Sequence, residues 1–577
     1  MSRARALSLL GLAEHLEGAG QAAEAATCRT EAAELARAAA DPSALNQVAL
    51  ALEGAGDLDG AHALLVAAHQ LAPDRLEPAV NLGNLLRRLG RLEEARTVLE
   101  AVARAAPDHP ALNHNLGLVL AELGRGPAAL KALRRALDGV AGDQPAEAVV
   151  ASDLGAVLKD LDRPAEALSL LRRAHALAPG DRRIATQLAG ACLKALHVAE
   201  AVERFEALAA SAPDDGPAEA GEAWSNLAAA LIEANRAEDA IAAAGRALGL
   251  DPQAPGALFN RAVARLLAGD WAAGLPEYGW RWRGAGAARY GRAPDLPTWD
   301  GAPLAAGQSL WVRGEQGLGD HLMLARYLPL LADRVAPGGL VIECYPSLTR
   351  LLAVLPGLAG VPLAFGNPAA ERPPPGAPAQ IDLYDLPVHF PTTPEAVPGR
   401  VPYLAAPSPG PDWLAEVEAL PRPRLGLVWA GKPRPRDRGL PLADLLAALD
   451  GLPGSRVALQ TGPGRAELAR LPAGRRPFDA GGRVGDLADT AAVMARLDRV
   501  VSIDTAAAHL AGGLGVPLDL LLIHGADWRW LRDRADSPLY PSARLFRQRK
   551  ERDWEAPLRA LRVHLAGRVT EDSPSIA

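Results

Sequence analysis

The chain has 577 residues, long enough for several domains with sizeable cores. Its 61 basic and 68 acidic residues leave a formal charge of −7, mild and mixed, which gives no bulk electrostatic case for binding nucleic acid or an anionic membrane surface. Cys28, Cys192 and Cys344 form no CxxC pair, which excludes a disulfide framework and a thiolate zinc site and fits a reducing interior.

The N-terminus, "MSRARALSLLGLAEHLEGAG", begins like a signal peptide, but Glu14 and His15 interrupt its apolar run early. No stretch reaches the roughly 18 apolar residues that a bilayer span needs, so a soluble, cytoplasmic protein is expected.

From there one motif repeats. Gly83 and Gly117 stand 34 residues apart, as do Ala95 and Ala129. The same frame places Ala49, Gly155, Ala189, Ala228 and Ala262 at the first small position, and Ala61, Ala167, Ala201 and Ala240 at the second. Pro73, Pro107, Pro179, Pro213 and Pro252 close the units. Small residues there let two helices approach closely, and the proline ends the second helix. The pattern resembles the tetratricopeptide repeat. Two residues before each small position stand Gln47, Asn81, Asn115, Asp153, Gln187, Asn226 and Asn260. A row of carboxamides on a concave face can bind an extended peptide backbone; alternatively it tightens packing between repeats. The row resembles the asparagine ladder of nucleocytoplasmic O-linked N-acetylglucosamine transferases, which makes polypeptide binding the favoured expectation.

The last repeat runs into "GDWAAGLPEYGWRWRG", where Trp271, Tyr278, Trp280 and Trp282 are expected to cap the solenoid and join it to the next domain. Beyond a Gly/Ala/Pro-rich linker, short apolar runs alternate with helical patterns. "SLWVRG", "GLVIECY", "RLGLVWAG", "RVALQTG", "RVVSID" and "LDLLLIHG" read as buried parallel strands. "DHLMLARYLPLLADRV", "LPLADLLAALDGL", "LADTAAVMARL" and "AAAHLAGGLG" read as the helices between them. The order implies doubly wound sheets, split into two lobes by the proline-dense stretch 391–423, with ligands bound beyond the strand C-termini.

In the first lobe, "GEQGLGD" turns a strand into a helix. Gly317 and Gly319 allow a tight backbone, and Asp320 either caps the helix or takes a proton from an acceptor hydroxyl, with Glu315 and His321 as further candidates for that base. In the second lobe, Lys432, Arg434, Arg436 and Arg438 crowd one loop and could neutralise a phosphate. Gln460 could reach a base or ribose. In "SIDTAAAHLAGGLG", Asp504 and Thr505 end a strand and start a helix whose free N–H groups suit a phosphate, with Asp504 accepting from sugar hydroxyls and His509 one turn on, either in the site or in the core.

Four segments in order, "GEQGLGDHLMLARYLPLL", "GLVWAGKPRPRDRGLPL", "DLADTAAVMARLDRVVSIDTAAAHLAGGLGVP" and "DWRWLRDRADSPLYPSARLFRQ", resemble bacterial tetratricopeptide proteins that carry a heptosyltransferase-like GT-B glycosyltransferase domain. The resemblance implies an α + α/β protein: a repeat superhelix over 1–284, a linker over 285–299, an acceptor-side lobe over 300–410 and a donor-binding lobe over 411–577. It implies transfer from a nucleotide sugar without metal or cofactor, and, by the alphaproteobacterial relatives of this build, flagellin as the acceptor. Gly317, Gly319 and Asp320 match the acceptor-side loop, and Asp504, Thr505 and His509 match the donor-binding helix start. Trp528 and Arg529 match a block whose chemistry the residues themselves do not assign. The family commonly has Asn at Lys432 and Ser at Gly439, so the cation that meets the phosphate stays open. Two alternatives remain beside protein O-glycosylation: transfer to lipopolysaccharide or another glycan with the repeats serving assembly, and a non-catalytic scaffold.

Overall fold

The structure, a computed structural model, describes residues 2–211, 216–283, 296–366, 373–432, 437–550 and 552–571. Arg434, Arg436 and all of the predicted linker except 296–299 lie outside the described residues. The chain divides into two compact units, Met1–Leu208 and Ala209–Ala577.

Sixteen helices among the described residues run from Ser2–Gly18 to Trp271–Glu277, and they pack as antiparallel pairs such as Leu76–Arg88 with Leu92–Ala103 and Pro110–Glu122 with Gly126–Gly139. The small positions explain why. A Cβ on Gly83 would stand 2.5 Å from Cγ of Leu99, one on Gly117 2.6 Å from that of Leu133, and one on Gly155 2.7 Å from that of Leu171. The same leucine of each second helix, sixteen residues on, fills the space the glycine leaves, and Ala95, Ala129 and Ala167 are fully buried beside it. Asp41, Asp57, Asp143 and Asp181 cap helices by accepting first-turn amides.

The second unit begins with the last repeats and continues into two parallel sheets. The first holds β1 (Ser309–Arg313), β2 (Gly339–Glu343), β3 (Leu363–Gly366) and β4 (Gln380–Asp382) in the order β3-β2-β1-β4. The second holds β5 (Arg424–Val428), β6 (Ser455–Ala458), β7 (Phe478–Asp479), β8 (Arg499–Ile503), β9 (Leu518–Leu522) and β10 (Ala543–Arg547) in the order β10-β9-β8-β5-β6-β7. Every strand pairs in parallel, and the buried runs are near-continuously apolar, as strands covered on both faces must be. Each sheet starts in its interior and winds outward on both sides, so the winding reverses between β1 and β4 in the first and between β5 and β8 in the second. Strand C-termini at such a reversal part from each other and leave a crevice. The helix predicted over "DHLMLARYLPLLADRV" is two, Leu318–Leu324 and Leu328–Val335, joined by a 3-10 turn ahead of Pro329.

The end of the repeats is built into this unit. Trp271 meets Trp528 edge-on at 5.7 Å, Tyr278 lies 5.2 Å from the ring of Tyr384, and Trp280 packs on the small core of Ala247, Leu248, Ala257 and Leu258. The aromatic cluster thus caps the last helices and packs on the sheets, as expected from its sequence.

Candidate functional site

At the reversal in the first sheet, β1 runs into "GEQGLGD". Gly314 cannot carry a side chain, because a Cβ would lie 2.6 Å from the Glu343 carbonyl oxygen and 2.7 Å from Nε2 of His321. Gln316 takes a left-handed backbone, φ 63°, tied at both ends of the residue: its side-chain Nε2 donates to the Tyr278 hydroxyl at 3.1 Å and its main-chain carbonyl accepts from the Tyr345 hydroxyl at 2.6 Å. The Gly317 N–H then donates to Oδ2 of Asp320 at 2.8 Å and starts the Leu318–Leu324 helix. The other oxygen of Asp320 accepts from the hydroxyl of Tyr384, which follows β4, and from the guanidinium of Arg529, which also donates to Asp527 and to Tyr384. Asp320 is thus both a cap and one corner of an Asp–Tyr–Arg cluster.

At the reversal in the second sheet, β8 ends in Asp504, and Thr505 opens the Ala506–Leu514 helix. The Thr505 side chain does not cap that helix; the Ala508 amide donates to the Thr505 carbonyl at 3.0 Å, and the amides of Ala506 and Ala507 at the half-buried start suit a ligand. Thr505 and the three alanines after it are small, and Thr505, Ala506 and Ala507 are only half-buried. The β5 loop lies alongside: a Cβ on Gly431 would come 3.2 Å from the Thr505 methyl, and Lys432 is exposed. Arg438 donates to Oδ2 of Asp504 at 2.7 Å. Burial opposes its charge, but Asp504, Asp527 and Asp320 more than offset that and hold its pKa above the ordinary arginine value.

The two reversals face each other. Gly319 sits so close to the Ala506–Leu514 helix that a Cβ would lie 2.7 Å from Cδ2 of His509 and 3.6 Å from Cα of Ala506. The His509 ring cannot yield, because Nδ1 bonds the Tyr540 hydroxyl at 2.8 Å and the ring stacks on Trp530 at 5.1 Å. The Gly317–Asp320 loop of one sheet and the helix start of the other therefore share a wall.

Several expected roles change. Glu315 is not a base facing a cleft. It is 4% exposed, and the Arg281 guanidinium grips it at 2.7 and 2.9 Å. Burial pushes its carboxyl up to about 7 against the pull of Arg281. His321 is turned under the loop, its Nδ1–H donating to the Gly317 carbonyl at 3.0 Å, and burial pulls its pKa down. Gln460 cannot read a nucleotide: its oxygen accepts from the Trp429 and Ala430 amides at 3.0 and 2.8 Å, and its nitrogen donates to the Ala430 and Thr461 carbonyls at 2.9 Å each. It clamps the ends of β5 and β6. His509 is a core histidine, with its pKa lowered first by burial. Trp528 serves packing against Trp271 and Tyr278. Asp504 meets Arg438 rather than standing free for sugar hydroxyls. Tyr384 and Arg281, which no local sequence pattern marks, join the cluster through Asp320 and Glu315.

The polar ladder in the repeats is mostly engaged from one repeat to the next. Asn81 donates to Asn46 at 2.8 Å, Asn115 to the Val80 carbonyl at 3.5 Å and Asn260 to the Ser225 carbonyl at 2.9 Å, while Gln187 accepts from Ser152 at 2.6 Å. Each bond spans 35 residues, one repeat plus one position. Asp153 breaks the amide series and pairs with His114 at 2.8 Å and Arg183 at 2.6 Å. Gln47 is exposed and Asn226 half-buried.

Comparison with known proteins identifies the helical part. Family models described as tetratricopeptide repeat match residues 52–116 and 158–224, 108–180, and 225–290, so the repeats are tetratricopeptide repeats. The chain is 28% identical over 439 residues to Protein FlbA of Caulobacter vibrioides, covering 65% of this chain and 71% of that protein. Among solved structures it is similar to TTC0263, a thermophilic TPR protein in Thermus thermophilus (27% identity, TM-score 0.27, 33% of this chain and 99% of that one). A tetratricopeptide repeat protein of Parabacteroides merdae ATCC 43184 is also similar (17% identity, TM-score 0.34, 41% and 91%). No helix among the described residues is long and apolar enough to cross a membrane.

Proposed function

We propose that the chain is a protein O-glycosyltransferase: the two sheets form a GT-B pair, the crevice where they meet takes a nucleotide sugar, and the repeats hold a polypeptide acceptor, flagellin by the resemblance of the sequence. One observation carries this reading. An uncapped helix start at Thr505 opens against the Gly319–Asp320 loop, so that a site for an anionic leaving group lies beside a carboxylate. In the reaction, a Ser or Thr oxygen of the acceptor bonds to the anomeric carbon, the bond from that carbon to the phosphate oxygen breaks, and the nucleotide leaves with the electron pair. Asp320 takes the hydroxyl proton. The Thr505 helix amides, Arg438 and Lys432 stabilise the departing phosphate.

Mass measurement of flagellin incubated with the purified chain and a panel of nucleotide sugars tests the reading. The expected result is a mass increase by whole sugar residues, slowed by about 100-fold or more in Asp320→Asn, in line with loss of a general base. No increase with any donor sinks the reading, and full turnover in Asp320→Asn removes that residue from the mechanism.

One observation favours a second reading. Both oxygens of Asp320 already accept hydrogen bonds, as a structural carboxylate does, which suits a scaffold with a silent site. Calorimetric binding of a nucleotide sugar, weakened in Thr505→Val, argues against the scaffold.

A further inference from the structure

We propose that the last turn of the repeat arm belongs to the site: Arg281 is a positioning residue that sets Tyr384, and through it the Asp320 carboxylate. The inference rests on the transferase reading for the importance of Asp320, but its geometry stands by itself.

The 3-10 segment Tyr278–Trp282 follows the final helix of the repeats. Its Arg281 side chain is 8% exposed. The guanidinium spans the two loops at the reversal of the first sheet, donating to Glu315 after β1 at 2.7 and 2.9 Å and to Asp385 after β4 at 3.1 Å. Glu315 in turn accepts the Tyr384 amide at 3.2 Å, and the Tyr384 hydroxyl donates to Asp320. Tyr278 adds two further ties, its ring against Tyr384 and its hydroxyl to Gln316.

The charge balance gives Arg281 its weight. Burial first, then Asp382 and Asp385, disfavour the Glu315 charge, and Arg281 works against them. Without it, the fork that ties the β1 loop to the β4 loop is gone and Glu315 takes up a proton in place of the ion pair, so the two loops are free to shift apart. Tyr384 rides on the β4 loop, so its hydroxyl leaves Asp320 when that loop moves. The arm side is anchored as well: Arg261 and Arg265, on the Pro255–Ala268 helix, both hold Glu277 at 2.7 Å, one turn before Arg281. A packed, hydrogen-bonded line thus runs from the last repeat to the carboxylate; a coupling measurement decides whether it carries energy.

The test uses full-length Arg281→Gln, Arg281→Lys, Tyr384→Phe and the Arg281→Gln/Tyr384→Phe pair. Crystal structures come first, because they need no activity. In Arg281→Gln the Tyr384 hydroxyl is expected to leave Asp320 by more than about 1 Å, a displacement large enough to matter for chemistry; an unmoved Asp320–Tyr384–Arg529 cluster overturns the proposal. On flagellin transfer, Arg281→Gln is expected to lower kcat by about 100-fold with donor KM within about twofold. Arg281→Lys recovers part of it, since it keeps the charge but not the fork that spans Glu315 and Asp385. The pair is expected to lose no more than the worse single variant; losses that multiply, or a kcat unchanged in Tyr384→Phe, overturn the line through Tyr384. Should Arg281→Gln fail to fold, Arg281→Lys is read for the same displacement and the same kcat. A wild-type chain that transfers nothing sinks the transferase reading alone, and the crystal structures still decide this one.

Discussion

His509 illustrates how a polar residue can be required without meeting a ligand. Its ring fills the contact between Gly319 and Trp530, and Tyr540 satisfies Nδ1. Burial lowers its pKa, with Arg438 and Arg326 lowering it further and Asp504 and Asp320 raising it. Since the folded-state pKa lies below the unfolded value of 6.5, the unfolded chain binds more protons in the window below 6.5. The stability tied to neutral His509 is therefore complete above that value and lost as pH falls through the folded pKa. All eleven tryptophans lie after residue 208, so their fluorescence reports the second unit alone. Urea midpoints read this way at pH 7.5 and 5.5 are expected to fall more in the wild type than in His509→Gln; equal falls refute the assignment. His321 and His389, also lowered by burial, add to the fall, and Glu315, raised by burial to about 7, works against it in both proteins alike. At this scale the sequence showed half of the site. Asp504 and Thr505 stand at a strand end and Asp320 in the first turn of the helix after another, where a local pattern marks them, while Arg529 is marked by the family resemblance alone. Tyr384 follows a strand of three residues, and Arg281 sits in the tail of a repeat; their partners are 64 and 34 positions away, and no local period records that.

Among the elements, the repeats were legible because one constraint recurs: a small residue where the leucine of the second helix must fit. What the ladder does was less legible, since a carboxamide suits a peptide or a neighbouring helix equally. The 35-residue bonds show that part of each amide is spent on the neighbour, with donors and acceptors left over. Asn260→Ala removes the bonds to the Ser225 carbonyl and hydroxyl and is expected to cost about 1 kcal/mol in urea unfolding followed by tryptophan fluorescence. A variant as stable as the wild type shows that the bond contributes nothing net, and returns the row to peptide binding alone. Six strands announced themselves as apolar runs. The other four did not: β4 and β7 have three and two residues, β3 is only half-buried, and "ARLFR" of β10 alternates arginine with apolar residues at the sheet edge. An apolar run needs length, burial and an unbroken row of apolar residues, and each of these strands lacks one of the three.

For the whole chain, the telling feature is where cooperativity should end. By composition the break falls at the Gly/Ala/Pro-rich linker, yet the helices from Pro217 onward share a compact unit with the sheets. Trp271, Leu275 and Tyr278 lie in the same apolar core as Leu310, Val312, Leu322 and Trp528, and Arg532 reaches back to Glu238. A chain beginning at Gly216 keeps this core and the Arg281–Glu315 pair. A chain beginning at Leu296 bares Trp528 and Tyr384 to water and leaves Glu315 beside Asp382 and Asp385 without its guanidinium. Breaking one side of a buried ion pair costs about 3–5 kcal/mol. The lost aromatic burial adds about 1.5–3 kcal/mol for each large side chain that no longer packs. The longer chain is therefore expected to melt cooperatively, by tryptophan fluorescence, near the transition that the full chain shows with the same probe. The shorter one is expected to melt well below it or without a sharp transition. If both melt alike, the final repeats are only attached to the sheets, and the wall that Arg281 lends to the site is not needed to build it.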